Sequence, residues 1–456
     1  MKVRVRPGGA LRGQATVPGD KSIAHRWLIL AASAEGRSAI EGLPRSIDVR
    51  STASCLASLA PAARPALEAW ASSPGATDER HGSTWNREAS TLHLPVLDLH
   101  GEGRGSLRRP DRELDCGNSG TSMRLVAGLV APAPFVTVLT GDASLATRPM
   151  ERVAAPLRAM GADVATRDGH PPVTIRGGEL HGIRFEPDVP SAQVKGAVLL
   201  AALGAEGSTT VAEAVPTRDH TERALGALGA PVRATEEGVV LDGPFRHEGF
   251  RGRVPGDPSS AAFVLGAAAL TGGEVALAGV GLNPSRLAFL NVFQRMGVVV
   301  DVEVEGSDLG EPVGTMRLTS GGRVTPVHVG ADELPLVIDE VPILAALAAH
   351  ADGPSRFEGA SELRVKESDR LSMLSEGIRA LGGLAEEDGD DLVIGGGGLA
   401  GGAARSAGDH RMVMSLTVAA TAADTPSEID DAESAAVSFP GFFGLLRALG
   451  ADVGEA

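Results

Sequence analysis

Five cations stand where apolar helices ought to begin. Lys21 and Arg26 in VPGDKSIAHRWLIL, Arg124 in CGNSGTSMRLVAGLVA, Lys195 in SAQVKGAVLLAAL and Arg411 in DHRMVMSLTVAATA precede or open runs of small apolar residues. A buried cation needs a partner, either a protein carboxylate or the anionic group of a ligand, and both readings are open for each residue taken alone. The start of a helix adds unpaired backbone N–H groups and the positive end of the helix dipole, which makes it a natural anion site. Two acidic segments accompany these cations. Asp339 and Glu340 lead into VPILAALAA, where a carboxylate either caps the helix or serves as an acid or base. In LRVKESDRL, Lys366 and Arg370 share a helix face at i,i+4 with Glu367 one position off, a pattern that fits a salt-bridged helix start as well as a ligand grip.

The elements that must position these groups repeat. The phrase VPGDKSIAHRWLILAASAEG at Val17 returns 237 residues later as VPGDPSSAAFVLGAAALTGG at Val254, with ten of twenty positions identical. The copies differ where chemistry could sit, since Lys21 and Arg26 in the first face Pro258 and Phe263 in the second. Four further segments share the plan of a polar entry followed by an apolar run, at Gly117, Ser191, Ile338 and Asp409. Apolar nearly all round and rich in Ala and Gly, these helices should be buried. Between them, amphipathic stretches such as Met150 to Gly161, Thr221 to Gly229 and Arg370 to Gly382 lead into short β-like runs, for example at Ala162 and Pro231. The spacing predicts a duplicated mixed α/β chain with three buried helices in each half. Met1 to Pro7 alternates as an edge strand would, Gly395 to Gly408 reads as a flexible loop, and Ala60 to Arg112 breaks the regularity as a surface excursion.

Composition narrows the function classes. A chain of 456 residues with 43% hydrophobic and 22% charged residues predicts two or more soluble globular domains, and no apolar run reaches the roughly 20 residues that span a bilayer. A net charge of −16, 3% aromatics and no Tyr argue against a nucleic-acid binder. The N-terminus lacks the apolar core of a signal peptide, so the cytoplasm is the expected compartment. Cys55 and Cys116 lack metal-ligand spacing and are expected to be structural. His25, His220 and His410 form no metal-binding array, and GDKS at Gly19 lacks the glycine spacing of a P-loop, so neither a metal site nor an NTPase is expected.

In this order, GDKSIAHR, CGNSGTSMRL, GDASLATRPM, SAQVKGAVLLAAL, TRDHTE, IDEVPILAALA, RVKESDRL and DHRMVMSL closely resemble the 5-enolpyruvylshikimate-3-phosphate synthase family, in particular its second class. The resemblance covers the chain apart from the Ala60 to Arg112 excursion. It implies an α/β enolpyruvyl transferase fold of two domains, each three βαβαββ units in pseudo-threefold arrangement, an inside-out α/β barrel. The implied division is residues 1–19 plus 253–456 and residues 20–252, with the excursion at about 60–112. It further implies transfer of the enolpyruvyl group of phosphoenolpyruvate to the 5-hydroxyl of shikimate 3-phosphate, without cofactor or metal, by a monomer with no nucleic-acid or membrane partner.

Carried over by motif, Lys21, Asp339 and Glu367 are the implied catalytic residues, Asp339 to take the hydroxyl proton and Glu367 to protonate C3. Shikimate 3-phosphate is expected on Lys21, Ser22, Arg26, Ser191, Ala192, Gln193, Arg218, Asp339 and Lys366. Phosphoenolpyruvate is expected on Lys21, Asn118, Gly120, Arg148, Gln193, Arg370 and Arg411. The sequence departs from the commoner family pattern at Leu125, where Pro is usual, and at Val437, where the first class has Lys. It also keeps Gly120 where glyphosate-tolerant forms carry Ala. Two rivals stand beside this reading. The related enzyme acting on UDP-N-acetylglucosamine typically has Asn after the first-helix Lys and a reactive loop Cys, whereas Ser22 stands here and Gly141 to Met150 has no Cys. A non-catalytic binding paralogue would have no need to keep Lys21, Asp339 and Glu367 together.

Overall fold

The polar entries become helix caps. In the computed structural model, which describes residues 1–73 and 96–456, the Asp20 carboxylate accepts from the Ile23 N–H at 3.0 Å and opens α1 (Lys21–Ser33). Ser119 accepts from Ser122 N–H at 3.1 Å to open α2 (Gly120–Val130), and Ser191 accepts from Val194 N–H at 3.4 Å to open α3 (Ala192–Ala202). Asp257 accepts from Ser259 N–H at 2.9 Å before α4 (Pro258–Leu270). Only α5 (Val341–Ala348) starts without a side-chain cap, while α6 (His410–Ala420) is capped by Asp409 through the Arg411 N–H at 2.9 Å. Each cap satisfies an N–H that burial would otherwise strand.

Among the described residues the strands form six sheets, five of them with one common order: the first strand of a unit lies parallel to the second, the second antiparallel to the fourth, and the fourth antiparallel to the third. The sixth, built on Glu35–Glu41, shows three strands in the same sense. In the unit after Leu114, for example, Leu114–Asp115 pairs with Val136–Thr140, which pairs with His170–Arg176, which pairs with Asp163–Arg167. Each sheet carries one of the six buried helices, and in four of them the parallel first pair is joined through that helix, as a βαβ crossover requires. In two units the first strand comes from far away in the chain: Arg12–Ala15 pairs with Glu274–Gly281, and Arg251–Arg253 pairs with Glu35–Glu41. The chain thus passes twice between two hydrophobic cores. One is built from Val3 to Val17 and Ala261 to Val453, the other from Ile23 to Val254.

Three expectations need correction. Val3–Arg6 is not an edge strand; it pairs on one side with Ser427–Ile429 and on the other with Asp452–Glu455. Its alternation reflects one buried face, Val3 and Val5, while the outward Arg4 and Arg6 meet Glu428 and Asp452. The excursion is narrower than about 60–112. Arg64–Ser72 is a helix that buries Leu67 and Trp70, and Leu97–Glu102 is a strand paired with Glu35–Glu41. The remainder of that stretch, residues 74–95, lies outside the described residues. Arg104, within GEGRGS, donates to the carbonyls of Leu200 at 2.7 Å and Leu129 at 3.1 Å, closing the C-terminal ends of α3 and α2. Gly395 to Gly408 is not loop throughout: Ala403–Ala404 is a strand lying parallel to Ser427–Ile429.

The small residues of the buried helices are there for close approach. A Cβ on Gly128 of α2 would stand 2.1 Å from the carbonyl oxygen of Ala197 in α3. Backbone cannot yield as a side-chain tip can, so Gly128→Ala should destabilise by about 1–3 kcal/mol, the usual scale of overpacking. A lowered urea midpoint with unchanged slope is the expected result, and an unchanged midpoint would contradict the close packing.

Candidate active site

The N-terminal ends of the six buried helices converge where the two cores meet. Lys21, first residue of α1, donates to Asp48 Oδ2 at 2.7 Å. Burial opposes its charge, but Asp48 and Glu367 outweigh burial and hold its pKa above the ordinary lysine value. One turn on, Arg26 is 2% exposed and meets no carboxylate within ion-pair distance among the described residues. Its guanidinium donates to Thr221 Oγ1 at 2.7 Å and to the carbonyls of Ser22 at 2.8 Å and Ala192 at 3.3 Å. Desolvation lowers its pKa, as expected for a cation surrounded by neutral oxygens.

The other lobe supplies the acids. Asp339 pairs with Arg218 across the lobes, and Arg411 donates to its backbone carbonyl. Burial favours the protonated acid, but Arg218, Arg411, Lys366 and Arg370 together hold Asp339 well below the usual carboxylate range. An ionised carboxylate at this place is chemically a base. Glu367 meets Arg370 Nη2 at 2.6 Å and faces Arg148 Nη1 of the opposite lobe at 4.0 Å. Again burial is overcome, here by Arg370 first and by Lys21 and Arg148, so Glu367 is also ionised. Its neighbour Arg370 is held by Asp409 at 2.9 Å, and Ser368 donates to the same carboxylate at 2.9 Å.

The glycine-bordered loop before α2 closes the other side. Arg148 donates to Asn118 Oδ1 at 2.9 Å, and Asn118 in turn donates to Asp142 at 2.9 Å. A Cβ on Gly120 would meet Arg124 Nη1 at 3.0 Å and Arg148 Nη1 at 3.4 Å. Gln193, in the first turn of α3, donates to Thr121 Oγ1 at 2.7 Å and accepts from Arg124.

Lys195, at the start of α3, is buried between two carboxylates, Glu213 and Glu222, at 2.7 Å each. Sequence reasoning missed Asp48, whose helix (Ile47–Leu59) carries no motif, and His410, passed over for want of a metal array although it adjoins Arg411. Burial together with the charge of Lys21 pushes His410 down to about 3, so it stands neutral beside Glu367 and Lys21. Among the described residues no group of three His, Cys, Asp or Glu could hold a metal ion. Cys55 and Cys116 are buried and free. No helix of the described residues is long and apolar enough to cross a membrane.

A family model described as EPSP synthase (3-phosphoshikimate 1-carboxyvinyltransferase) matches residues 5–77 and 96–446. The chain belongs to the EPSP synthase family. It is 44% identical to the 3-phosphoshikimate 1-carboxyvinyltransferase of Acidithiobacillus ferrooxidans over 450 residues, 98% of this chain and 97% of the relative. Against the enzyme of the same name from Halorhodospira halophila the identity is 45%, covering 99% and 96% of the two chains. The fold matches the EPSP synthase of Acinetobacter baumannii with a TM-score of 0.82 at 37% identity, over 99% of each chain. Family membership establishes the two-domain enolpyruvyl transferase fold, to which the six sheets, five of them in one order, correspond.

The ionised state of Glu367 yields a prediction. Its pKa is low because Arg370, Lys21 and Arg148 face it, and an anionic ligand placed among those cations cancels part of that field. Glu367 should therefore take up a proton on ligand binding, and binding should strengthen as pH falls through its liganded pKa. Calorimetry of ternary-complex formation in two buffers of different ionisation enthalpy should show more proton uptake for wild type than for Glu367→Gln. Equal uptake by the two proteins would place the proton elsewhere.

Proposed function

We propose that this chain transfers the enolpyruvyl group of phosphoenolpyruvate to the 5-hydroxyl of shikimate 3-phosphate and releases inorganic phosphate. The observation that carries the reading is the pair of ionised carboxylates, Asp339 and Glu367, set among Lys21, Arg148, Arg218, Arg370 and Arg411 at the junction of the lobes. Two multiply anionic substrates need such a density of cations, and their reaction needs two proton-transfer groups. Asp339 takes the proton of the 5-hydroxyl as that oxygen attacks C2 of phosphoenolpyruvate. Glu367, protonated once the anions are bound, gives its proton to C3. The tetrahedral adduct then returns a proton from C3 as its C2–O bond to phosphate breaks. Lys21, shared between the substrates, offsets charge at the reacting oxygens.

Arg26, Ser22, Ser191, Ala192, Gln193, Arg218 and Lys366 are assigned to shikimate 3-phosphate. The loop from Asn118 to Gly120 is assigned, with Arg148, Arg370, Arg411 and Gln193, to phosphoenolpyruvate. On this reading residues 1–19 plus 253–456 form one domain and 20–252 the other, working as a monomer in the cytoplasm. The test is phosphate release, with UDP-N-acetylglucosamine as control acceptor. Release should need both phosphoenolpyruvate and shikimate 3-phosphate and survive a chelator, because fixed cations supply the charge. Release with the control acceptor alone, or a requirement for added divalent ion, would overturn it.

Two variants separate the roles. Glu367→Gln should bind both substrates yet turn over about 10²-fold more slowly, the scale for a lost proton-transfer group. Arg26→Ala should weaken shikimate 3-phosphate binding by about 1.5–3 kcal/mol, the range for hydrogen bonds to a charged group. Wild-type turnover by Glu367→Gln would refute the acid assignment.

Glyphosate should compete with phosphoenolpyruvate, since nothing beyond hydrogen projects from Gly120 towards the guanidinium groups of Arg124 and Arg148. In Gly120→Ala the added methyl should raise the glyphosate inhibition constant more than the KM for phosphoenolpyruvate. Equal effects on the two ligands would remove the steric argument.

A further inference from the structure

Arg124, like Arg26, forms no ion pair among the described residues; the Glu367 carboxylate acts on it only at longer range. Its Nε is buried without a hydrogen-bond partner, its Nη2 reaches only the Pro149 carbonyl at 3.5 Å, and Arg148 stands close by. Burial first, then Arg152 and Arg148, lower its pKa to about 10. A side chain kept solely for packing gains nothing from such a charge.

What Arg124 does make is a hydrogen bond from Nη1 to Gln193 Oε1. A guanidinium has five donors and no acceptor, so Gln193 can meet it only with its oxygen. The amide nitrogen must then face the other way, where one N–H goes to Thr121 Oγ1 at 2.7 Å and the second remains for a ligand. A glutamine amide is otherwise nearly symmetric in shape, and flipped it would offer an anion an acceptor in place of a donor. We propose that Arg124 is a positioning residue that fixes the amide of Gln193 with its N–H towards a bound carboxylate or phosphate, and that it adds a positive charge without an ion-pair partner beside Gly120 and Arg148. The inference rests on the function proposed above and goes beyond it, since that reading gives Arg124 no part.

Three substitutions test it. Arg124→Lys keeps a donor-only cation and should hold the KM for phosphoenolpyruvate within about threefold of wild type, whereas Arg124→Met should raise it about tenfold or more, the scale of a charged hydrogen bond. In Arg124→Met the KM for shikimate 3-phosphate, which Gln193 also serves, should rise several-fold less than that for phosphoenolpyruvate, because Arg26, Arg218 and Lys366 still hold that substrate. Arg124→Gln, able to accept as well as donate, should behave like Arg124→Met. Without substrates, Arg124→Met should melt at or above the wild-type temperature. A Tm several degrees lower with both KM values rising in parallel would show a structural role and overturn the proposal, as would an unchanged KM for phosphoenolpyruvate in Arg124→Met. Inorganic phosphate titrated calorimetrically reads the same anion site without turnover, and its affinity should fall about tenfold in Arg124→Met. If wild type releases no phosphate in the coupled assay, the proposed reaction fails, and this titration alone decides for or against Arg124.

Discussion

The whole arrangement hangs on one buried ion cluster at the double crossing between the cores. The two VPGD segments lie side by side, with the Asp20 N–H donating to Pro255 O at 2.7 Å and the Asp257 N–H donating to Pro18 O at 2.8 Å. Arg286 donates to Asp20 with Nη1, and with Nη2 to Asp257 at 2.9 Å and to Ser259 Oγ at 2.8 Å. Both carboxylates are also the caps of α1 and α4, so one guanidinium fixes the starts of two helices that belong to different lobes. Removing either partner would strand a buried charge, which is far costlier than the net worth of the pair. The crossing also demands glycine: a Cβ on Gly19 would stand 2.1 Å from the Gly42 carbonyl oxygen. Lys21 follows Asp20 directly, and Ser259 donates to Glu340 beside Asp339, so the hinge and the site share a framework.

Charge balance in that framework explains why both acids are ionised. Burial alone would protonate Asp339 and Glu367, yet each is outvoted by cations drawn from both lobes. Glu340, one residue from Asp339, shows the opposite result. Burial and the Asp339 charge raise its pKa, and the cations near it do not reverse that. Adjacent carboxylates are thus driven apart, the outer one kept as a base and the inner one left to accept from Ser259. Anionic ligands entering the junction shift this balance in one direction only, towards protonation of Glu367.

Much of this was legible in the sequence, for physical reasons. Polar entries before apolar runs marked all six buried helices, because a buried helix start must satisfy its own N–H groups. The cations at those entries were likewise visible, since a charge next to an apolar run has few structural excuses. What escaped was whatever depends on tertiary partners. Lys195 has the same local setting as Arg26 but finds Glu213 and Glu222, while Arg26 finds only neutral oxygens. Asp48 and Arg286 sit in segments with no motif, and their importance arises from what crosses over them. Within Ala60 to Arg112, polar residues masked the i,i+3 pair Leu67 and Trp70 and the alternation of Leu97 and Leu99, which are buried.

The two copies of the duplicated phrase show one helix start with the site's cations and one without them. Phe263, the counterpart of Arg26, is 1% exposed and packs edge-on against Phe442 with ring centroids 6.3 Å apart. Pro258, the counterpart of Lys21, occupies a first-turn position where a missing N–H costs nothing. The second copy is therefore what the helix start looks like when only packing is asked of it. In the first copy the same two positions carry cations, one 2% exposed and held by carbonyl and hydroxyl oxygens, the other paired to Asp48. A buried cation there costs stability that the packing of the second copy does not. The cations at the start of α1 thus contribute nothing the second copy of the phrase needs for packing; they belong to the charged junction, to which the other lobe adds Lys366, Arg370 and Arg411.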